Sequence, residues 1–351
     1  MSGLEKVLMK GNDAMAEGAI RGGCDAYFGY PITPQSEMLE YMARRLPALG
    51  KVFVQAESEI AGISMVYGAA AVGARAMTSS SGPGISLMQE TISTLAAAEL
   101  PAVIVNVMRA GPGVGGILPA QADYFQATRG GGHGDHHSLV LAPWSVQEAM
   151  DLTSLAFDLA DKYRNPCMVL ADGLLGQAME PVVLEDREVA APAKDWILTG
   201  AAQGERKVIT TLRLDPEELE ALNRRLEAKY AGLTPQEVRY STHLVDDAEY
   251  LLVGYGTCGR VARSAVDELR AAGFRVGLMR PISLFPFPYE SIRALASQLR
   301  AVLVVEMSAG QLLQDVELAV QNRVPVHLVN RLGGIVPGAD EIVLKLRELI
   351  Q

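Results

Sequence analysis

The stretch that decides the fold runs from Val52 to Gly84 and reads VFVQAESEIAGISMVYGAAAVGARAMTSSSGPG. Its first five residues are typical of a short buried strand, and the uncharged run 60–74 is long enough for a helix. A second strand follows, and residues 78–84 close the unit with a polar loop containing Gly and Pro. A strand, a helix and another strand in this order predict a parallel α/β sheet.

Two carboxylates, Glu57 and Glu59, stand where the first strand ends and the apolar helix begins. Open α/β sheets bind ligands at the carboxyl ends of their strands. One interpretation is that both residues only decorate a helix N-terminus, where negative charge is favourable. The other is that one of them is held in apolar surroundings and exchanges a proton with a cofactor ring. The spacing alone leaves both open.

Composition limits the class of protein. The chain has 351 residues, 49% hydrophobic and 21% charged, which suits one large or two ordinary globular domains. A net charge of −10 without a basic cluster argues against a general nucleic-acid binder. The three cysteines are scattered, which fits a reducing compartment and is too few for an iron–sulfur cluster held by four thiolates of this chain.

The first ten residues predict a cytoplasmic protein. They include three charged side chains and no apolar core of a signal peptide. The uncharged run 60–74 is shorter than the roughly 20 residues that a membrane helix needs.

Two further positions in the first part of the chain are candidates for binding. The prolines on either side of Ile32 and Thr33 fix an extended turn after a strand, and this turn can present the Thr33 hydroxyl rigidly. Arg109 follows the apolar strand 102–108 and precedes a glycine-rich loop, so it is a candidate anion clamp. A plain connector and a surface arginine are the simpler alternatives.

Residues 109–143 are predicted to be one long loop, of the kind that is usually functional or mobile. It contains Asp135 together with His133, His136 and His137, which invites comparison with a metal site. Adjacent histidines on a loop seldom reach one ion together, and the sequence offers no second ligand cluster. We therefore expect a lid or a subunit contact here rather than a metal.

The composition divides the chain into three parts. Residues 1–185 are expected to form the first domain, 186–246 a charged linker region with one helix, and 247–351 a second α/β domain. Residues 254–259 read GYGTCG after a strand, which is formally a dinucleotide fingerprint. The acidic residue expected after the next strand is missing, and Met279, Arg280 and Pro281 stand there, so NAD binding is disfavoured.

Four ordered motifs resemble the α subunit of the 2-oxoacid:ferredoxin oxidoreductases. They are YPITP at 30–34, ESEIA at 57–61, TSSSGPG at 78–84 and RAGP at 109–112. The stretches GGILPAQADY at 115–124 and GHGD at 132–135 are most similar to the branched-chain (2-oxoisovalerate) type. The resemblance covers nearly the whole chain. It implies two parallel-sheet α/β domains, the first like a thiamine diphosphate (ThDP) pyrimidine-binding module and the second like the C-terminal domain of transketolase.

The resemblance also assigns roles to residues. Glu59 corresponds to the glutamate that binds the aminopyrimidine ring of ThDP and shuttles its proton, so it is the expected catalytic and cofactor-binding residue. Thr33 and Arg109 match positions that hold the substrate carboxylate. The implied reaction converts a 2-oxoacid, coenzyme A and oxidised ferredoxin to acyl-CoA, CO₂ and reduced ferredoxin.

The sequence lacks one cofactor-binding motif, and this absence predicts that partner chains supply part of the site. The sequence contains no Gly-Asp-Gly followed about 25–30 residues later by Asn, the Mg²⁺–diphosphate motif of ThDP enzymes. By the resemblance, the diphosphate, Mg²⁺ and [4Fe–4S] clusters are expected on a β subunit with γ and ferredoxin-like subunits beside it. The alternatives are a subunit of an NAD-linked 2-oxoacid dehydrogenase that passes its acyl group to lipoamide, and a non-catalytic assembly subunit.

The loop after Arg109 predicts an aliphatic substrate such as 3-methyl-2-oxobutanoate (2-oxoisovalerate). Between Arg109 and Arg129 there is no Lys, Arg or His, and the loop carries Val114, Ile117 and Leu118. A second substrate carboxylate would need its own cation, because burying it without one costs several kcal/mol.

Overall fold

The structure is a computed structural model, and it describes residues 6–350 except 186, 188, 190, 191, 201–203 and 205. The strands of the described residues are β1 Lys6–Lys10, β2 Ala26–Gly29, β3 Val52–Gln55, β4 Ala76–Ser80, β5 Ala102–Met108, β6 Leu139–Leu141, β7 Pro166–Asp172, β8 Met179–Val183, β9 Tyr240–His243, β10 Tyr250–Val253, β11 Val276–Pro281, β12 Ser283–Phe285, β13 Ala301–Glu306 and β14 Val326–Asn330. The helices are α1 Gly11–Arg21, α2 Ser36–Ala48, α3 Glu59–Ala71, α4 Gly82–Ala97, α5 Tyr124–Thr128, α6 Val146–Tyr163, α7 Gly173–Gln177, α8 Pro216–Glu237, α9 Gly256–Ala271, α10 Tyr289–Ala296, α11 Gln311–Val320 and α12 Ala339–Ile350.

The first sheet has seven strands in the order β12-β6-β7-β5-β4-β2-β3. Six of them are parallel, and only β12 runs antiparallel, against β6. Buried apolar strands joined by helices form such sheets because both faces are covered. The carboxyl ends of β2, β3, β4 and β5 therefore lie along one edge, where the predicted motifs follow them.

The second sheet has the order β14-β13-β10-β11-β9, with β9 antiparallel to β11 and the other pairs parallel. The predicted class, two parallel-sheet α/β domains, is confirmed. β1 pairs antiparallel with β8 in a separate two-stranded sheet. It is therefore not part of the main sheet.

The prediction of one unbroken loop over residues 109–143 is wrong. The segment contains α5 and the buried strand β6, which lies between β7 and β12. Five helical residues and three strand residues are too few to show a periodicity in the sequence. β12 follows β11 inside the second α/β pattern, so a pairing distant in sequence completes the first sheet.

The helix in the charged region is α8, which begins as its sequence predicts. The Asp215 carboxylate accepts a hydrogen bond from Glu217 N at 2.8 Å. Leu222 and Leu226 of this helix are buried against the first domain, while Leu219 is exposed. This face packs on the side of the first sheet opposite α3 and α4.

The glycine loop 254–259 receives a carboxylate of the first domain. Asp172, at the end of β7, accepts hydrogen bonds from Thr257 Oγ1 at 2.7 Å and from Thr257 N at 3.0 Å. A helix N-terminus with free N–H groups favours an anion. Here the Asp172 side chain takes that place, so the loop joins the two domains.

Within the described part of the chain, no helix combines the length and apolarity needed to cross a membrane. The same residues contain no group of three or more His, Cys, Asp and Glu side chains placed to hold a metal ion. In the loop that suggested one, the His136 ring contacts the His133 carbonyl at 3.2 Å. His137 instead stacks on Phe285, with ring centroids 4.2 Å apart.

Candidate active site

The structure distinguishes the two carboxylates that the sequence left open. Ser58 is the N-cap of α3, and its hydroxyl accepts a hydrogen bond from Ala61 N at 3.2 Å. Glu59 is the first residue of the helix and is only 6% exposed, whereas Glu57, before the cap, is exposed. The phase of the helix start therefore turns Glu59 inward and Glu57 toward solvent.

Glu59 lies against the beginning of α4. A Cβ atom added to Gly84 would come within 2.5 Å of Glu59 Oε1 and 2.0 Å of Ser80 Oγ, so only glycine fits between them. Among the described residues, the Glu59 carboxylate has no hydrogen-bond or ion-pair partner. A buried carboxylate without a partner is costly. It is therefore available to a ligand.

Unsatisfied polar atoms lie at the same sheet edge as this carboxylate. Thr78 Oγ1, Ser80 Oγ and Ser81 Oγ at the end of β4 are buried without a hydrogen-bond partner, as is Asn106 Oδ1 on β5. Ser80 and Asn106 are neighbours in the β4–β5 register, so their side chains share one face of the sheet. Buried polar groups are normally hydrogen-bonded. Several unsatisfied polar atoms at one sheet edge are consistent with a site for a polar ligand.

Arg109 and Thr33 meet at the same edge. Arg109 follows β5, and its Nη1 donates to the Thr33 carbonyl at 2.9 Å while Nη2 donates to the Val114 carbonyl at 3.1 Å. Its Nε is buried without a partner, and in the described residues the guanidinium forms no ion pair. Thr33 is exposed and contacts Arg109 through its carbonyl, which leaves its hydroxyl toward solvent.

The beginning of α4 connects these groups. A Cβ atom at Gly82 would lie 3.8 Å from Arg109 Cγ, and Gly84 touches Glu59. Two glycines only two residues apart at the start of α4 thus contact the stem of Arg109 and the Glu59 side chain. The sequence predicted each group, and the structure brings them to one edge.

Sequence reasoning missed Asn106 and gave no role to Asp123. Asn106 Nδ2 donates to Asp123 Oδ2 at 3.0 Å. Burial raises the pKa of the Asp123 carboxyl, and the Asn106 hydrogen bond and the Arg109 charge only partly oppose that rise. The available signal was a single amide in the otherwise apolar strand AVIVNVM.

The loop that carries Asp123 is fastened to the second domain through Gln121. This residue is fully buried, and its Nε2 donates to the Tyr255 carbonyl at 2.9 Å while its Oε1 accepts from Met307 N at 3.0 Å. Gln311 adds two contacts, accepting from Phe125 N at 2.8 Å and donating to the Ala122 carbonyl at 2.7 Å. The second domain therefore holds the loop that borders the site.

The outer part of the loop is apolar and exposed. Val114, Ile117 and Leu118 are 81%, 61% and 57% exposed. Leu118 packs against Gly334 of the second domain, where a Cβ atom would come within 2.5 Å of its side chain. An apolar rim thus follows a guanidinium that forms no ion pair in the described part of the chain.

Together these features define a class of protein. An α/β sheet presents at one edge a buried carboxylate, several unsatisfied polar atoms and an arginine without a counter-ion. The carboxylate can hold and protonate a nitrogen ring, and the arginine can hold an anionic substrate. Such an arrangement suits an enzyme subunit in which a ring compound and a carboxylic acid could bind side by side.

Comparison with known proteins identifies the family. Residues 17–224 match the model described as pyruvate flavodoxin/ferredoxin oxidoreductase, thiamine diphosphate-binding, and residues 248–342 match pyruvate:ferredoxin oxidoreductase core domain II. The chain is 54% identical to the ketoisovalerate oxidoreductase subunit VorB of Methanothermobacter marburgensis over 97% of each chain. It is 42% identical to the 2-oxoglutarate synthase subunit KorA of Archaeoglobus fulgidus, over 90% of this chain and 91% of that one.

A solved structure agrees with these matches. The 2-oxoglutarate:ferredoxin oxidoreductase from Magnetococcus marinus superposes with a TM-score of 0.91 at 29% identity, over 100% of this chain and 66% of that one. The chain belongs to the 2-oxoacid:ferredoxin oxidoreductase family. The resemblance predicted from its motifs, including that to the branched-chain type, is confirmed. The chain is an oxidoreductase subunit that works with partner subunits.

Proposed function

We propose that this chain is the α subunit of a branched-chain 2-oxoacid:ferredoxin oxidoreductase and supplies the pyrimidine half of a shared ThDP site. The observation that carries the proposal is the buried Glu59 carboxylate, which has no partner among the described residues and lies against Gly84 beside the unsatisfied Ser80 hydroxyl. The overall reaction would be oxidative decarboxylation of the 2-oxoacid with coenzyme A, giving acyl-CoA, CO₂ and reduced ferredoxin.

The residues at the edge fit the pyrimidine end of ThDP. Glu59 would bond a ring nitrogen and move a proton to and from it, and the hydroxyls of Ser80 and Ser81 would satisfy polar atoms of the same ring. When bound, the cofactor supplies the electron sink that decarboxylation of a 2-oxoacid requires. Gly84 would allow the Glu59 carboxylate to keep this position, since a side chain at residue 84 would displace it.

Arg109 would bind the substrate carboxylate. Its two Nη atoms are each held by one backbone carbonyl, and this fixes the plane of the guanidinium. The remaining N–H groups can then donate to an anion in a defined direction, which orients the 2-oxo carbon. The Thr33 hydroxyl, which is exposed next to this arginine, can add a hydrogen bond to the carboxylate.

The apolar loop favours a branched aliphatic tail. Burial of one methylene group contributes about 0.8 kcal/mol. Contact with Val114, Ile117 and Leu118 can therefore stabilise binding of an isopropyl group. In the described residues the loop offers no cation for a second carboxylate. The relative named for ketoisovalerate is 54% identical, and the one named for 2-oxoglutarate from Archaeoglobus fulgidus is 42% identical, which supports the same preference.

The remaining half of the site would come from partner chains. We assign the diphosphate, Mg²⁺ and [4Fe–4S] clusters to a β subunit, accompanied by γ and ferredoxin-like subunits. Helix α3 offers a docking face for such a partner, because after Glu59 it carries no charge and still exposes Ile60, Ser64, Gly68 and Val72. A helix that is apolar all round is normally buried.

A purification with a substrate panel tests the proposal. The chain should co-purify from its native source with an iron–sulfur subunit, and the complex should reduce ferredoxin with 2-oxoisovalerate at a higher kcat/KM than with 2-oxoglutarate. Co-purification with a lipoyl carrier protein and NAD reduction would support the NAD-linked alternative. A complex that is active without this chain would support an assembly role.

Calorimetry separates a shared site from a self-contained one. The isolated chain should bind ThDP only weakly, because no Mg²⁺–diphosphate residues support that end of the cofactor. Micromolar or tighter binding that depends on Mg²⁺ would contradict the division of the site between chains.

A further inference from the structure

Asp123 is a carboxylate at the edge of the candidate site for which the proposed function provides no role. It stands immediately before α5, where an aspartate commonly caps the helix. Its side chain makes no such bond and accepts a hydrogen bond from Asn106 Nδ2 of β5 at 3.0 Å. The side chain is therefore turned toward the strand that ends in Arg109.

The charged and titratable groups that face Asp123 come from two elements. Arg109, at the end of β5, draws the pKa of the carboxyl down, while burial raises it above its ordinary value. Tyr255 faces it from the segment before α9, and burial keeps the pKa of that phenol well above its ordinary value. In the described residues Asp123 and Arg109 form no direct ion pair. Asp123 is thus hydrogen-bonded to β5 three residues before Arg109, and the charge of Arg109 acts on it without a direct bond.

The position of Asp123 is fixed from both sides. Asn106 holds its carboxylate from β5. Gln121, two residues earlier, is locked to Tyr255 and Met307 of the second domain by hydrogen bonds of 2.9 and 3.0 Å. The carboxylate cannot swing away easily when another anion approaches Arg109. Any conflict between the two negative charges must then be resolved by a proton.

We propose that Asp123 is a positioning residue that alternates with the substrate carboxylate as the counter-ion of Arg109. The inference rests on the proposed function, in which Arg109 binds the 2-oxoacid. When the substrate carboxylate reaches Arg109, two carboxylates face one guanidinium in a half-buried site, and a like charge disfavours ionisation of its neighbour. Asp123 then takes up one proton from solvent.

The cycle closes when the carboxylate leaves. The bond between the carboxylate carbon and the 2-oxo carbon breaks, its electron pair stays with the remaining fragment, and CO₂ departs as a neutral molecule. Arg109 has then lost its bound anion, and Asp123 returns its proton to solvent and balances the guanidinium again. No net proton is consumed at Asp123, and Arg109 does not retain a competing anion.

The KM for 2-oxoisovalerate, measured in the assembled complex as a function of pH, tests this role. For the wild type, KM should rise with pH as Asp123 ionises. Asp123→Asn keeps an acceptor for Asn106 and removes the charge, so its KM should stay flat and lie up to about tenfold below wild type at high pH. The two curves should converge at low pH, with kcat changed less than KM. Asp135→Asn, an exposed aspartate of the same segment, is the matched control and should follow wild type.

Three outcomes separate this inference from the proposed function. A wild-type KM that does not change with pH overturns the counter-ion role, whether or not the variant folds. An Asp123→Asn complex with raised KM and an unchanged pH profile overturns it as well. Arg109→Met, measured in parallel, should raise KM sharply; if it does not, the proposed substrate site itself is wrong.

Discussion

Glu59 and Gly84 are in direct contact, the carboxylate of one lying where the side chain of the other would be. A Cβ atom at Gly84 would approach Glu59 Oε1 to 2.5 Å and Glu59 Cγ to 2.9 Å. The start of α4 therefore forms one wall of the slot that holds the carboxylate at the start of α3. This contact explains why the TSSSGPG motif has glycine at position 84, where a larger residue would collide with Glu59 and Ser80.

Gly84→Ala should reduce both the stability of the chain and the activity of the complex. The added methyl group meets the ends of the Ser80 and Glu59 side chains, which can rotate away, so we expect destabilisation of about 1–3 kcal/mol. The rotation displaces the Glu59 carboxylate, and turnover of the assembled complex should fall at least about tenfold. Thermal unfolding and kcat measured on the same preparation check both parts.

Gly232→Ala is the matched control for that variant. Gly232 lies in α8, away from the α3 face, with no atom within 4 Å of its added Cβ. The isolated chain should become more stable by about 0.5–1 kcal/mol, because alanine is the better helix former. If Gly232→Ala and Gly84→Ala lower kcat equally, the Glu59 slot is not what Gly84→Ala disturbs.

Ser64→Arg should prevent assembly without unfolding the chain. Ser64 lies on the exposed uncharged face of α3, and an arginine there would have to be desolvated beneath a partner. Ser264→Arg on α9 is the control, since it places the same side chain on an exposed serine of another helix. Co-purification of the iron–sulfur subunit with each variant is the readout. Equal recovery with both would exclude the α3 face as the interface.

The Glu237 carboxylate makes the stability of the fold depend on pH in the acidic range. Burial raises the pKa of its carboxyl, but hydrogen bonds from Lys162 Nζ at 2.7 Å, Tyr163 OH at 2.7 Å and Arg239 Nη2 at 2.8 Å outweigh that and lower it. A lowered pKa in the folded state contributes stability above the unfolded value, and this contribution is lost as pH falls through the folded value.

Glu237→Gln should therefore destabilise the chain at pH 7 by about 1.5–3 kcal/mol, the contribution typical of a hydrogen bond to a charged group. The difference from wild type should shrink below the ordinary glutamate value of 4.5. Urea unfolding at pH 7 and at acidic pH checks it. A difference that stays constant or grows toward acid would show that the charge of Glu237 is not the source of the stabilisation.

The parts of the fold that follow from local pattern were predictable. β5 is a continuous apolar run, and the strand–helix–strand pattern of 52–80 is visible in the sequence. β6 and β12 were not, because each has three residues and their pairing joins segments more than 140 residues apart. Such a pairing depends on the packing of both domains, which no local window contains.

The candidate site divides in the same way. Glu59 and Arg109 follow strands, so the topology of a parallel sheet was enough to place them at one edge. The contact of Asn106 with Asp123 depends on the path of the loop after β5, and Gln121 fixes that path through the second domain. Local sequence carries no information on that anchor. Predicting that Glu59 rather than Glu57 is buried would have required knowing the exact residue at which α3 begins.

The most direct test of the account compares Glu59→Gln with Glu57→Gln in the assembled complex, by ferredoxin reduction with 2-oxoisovalerate. Glu59→Gln keeps the volume of the buried side chain and removes its proton-transfer group, so kcat should fall by about 10²–10⁴-fold while the complex still assembles. Glu57→Gln, on the exposed residue two positions earlier, should stay within about twofold of wild type, as surface substitutions usually do. Normal turnover by Glu59→Gln together with an inactive Glu57→Gln would contradict the central claim.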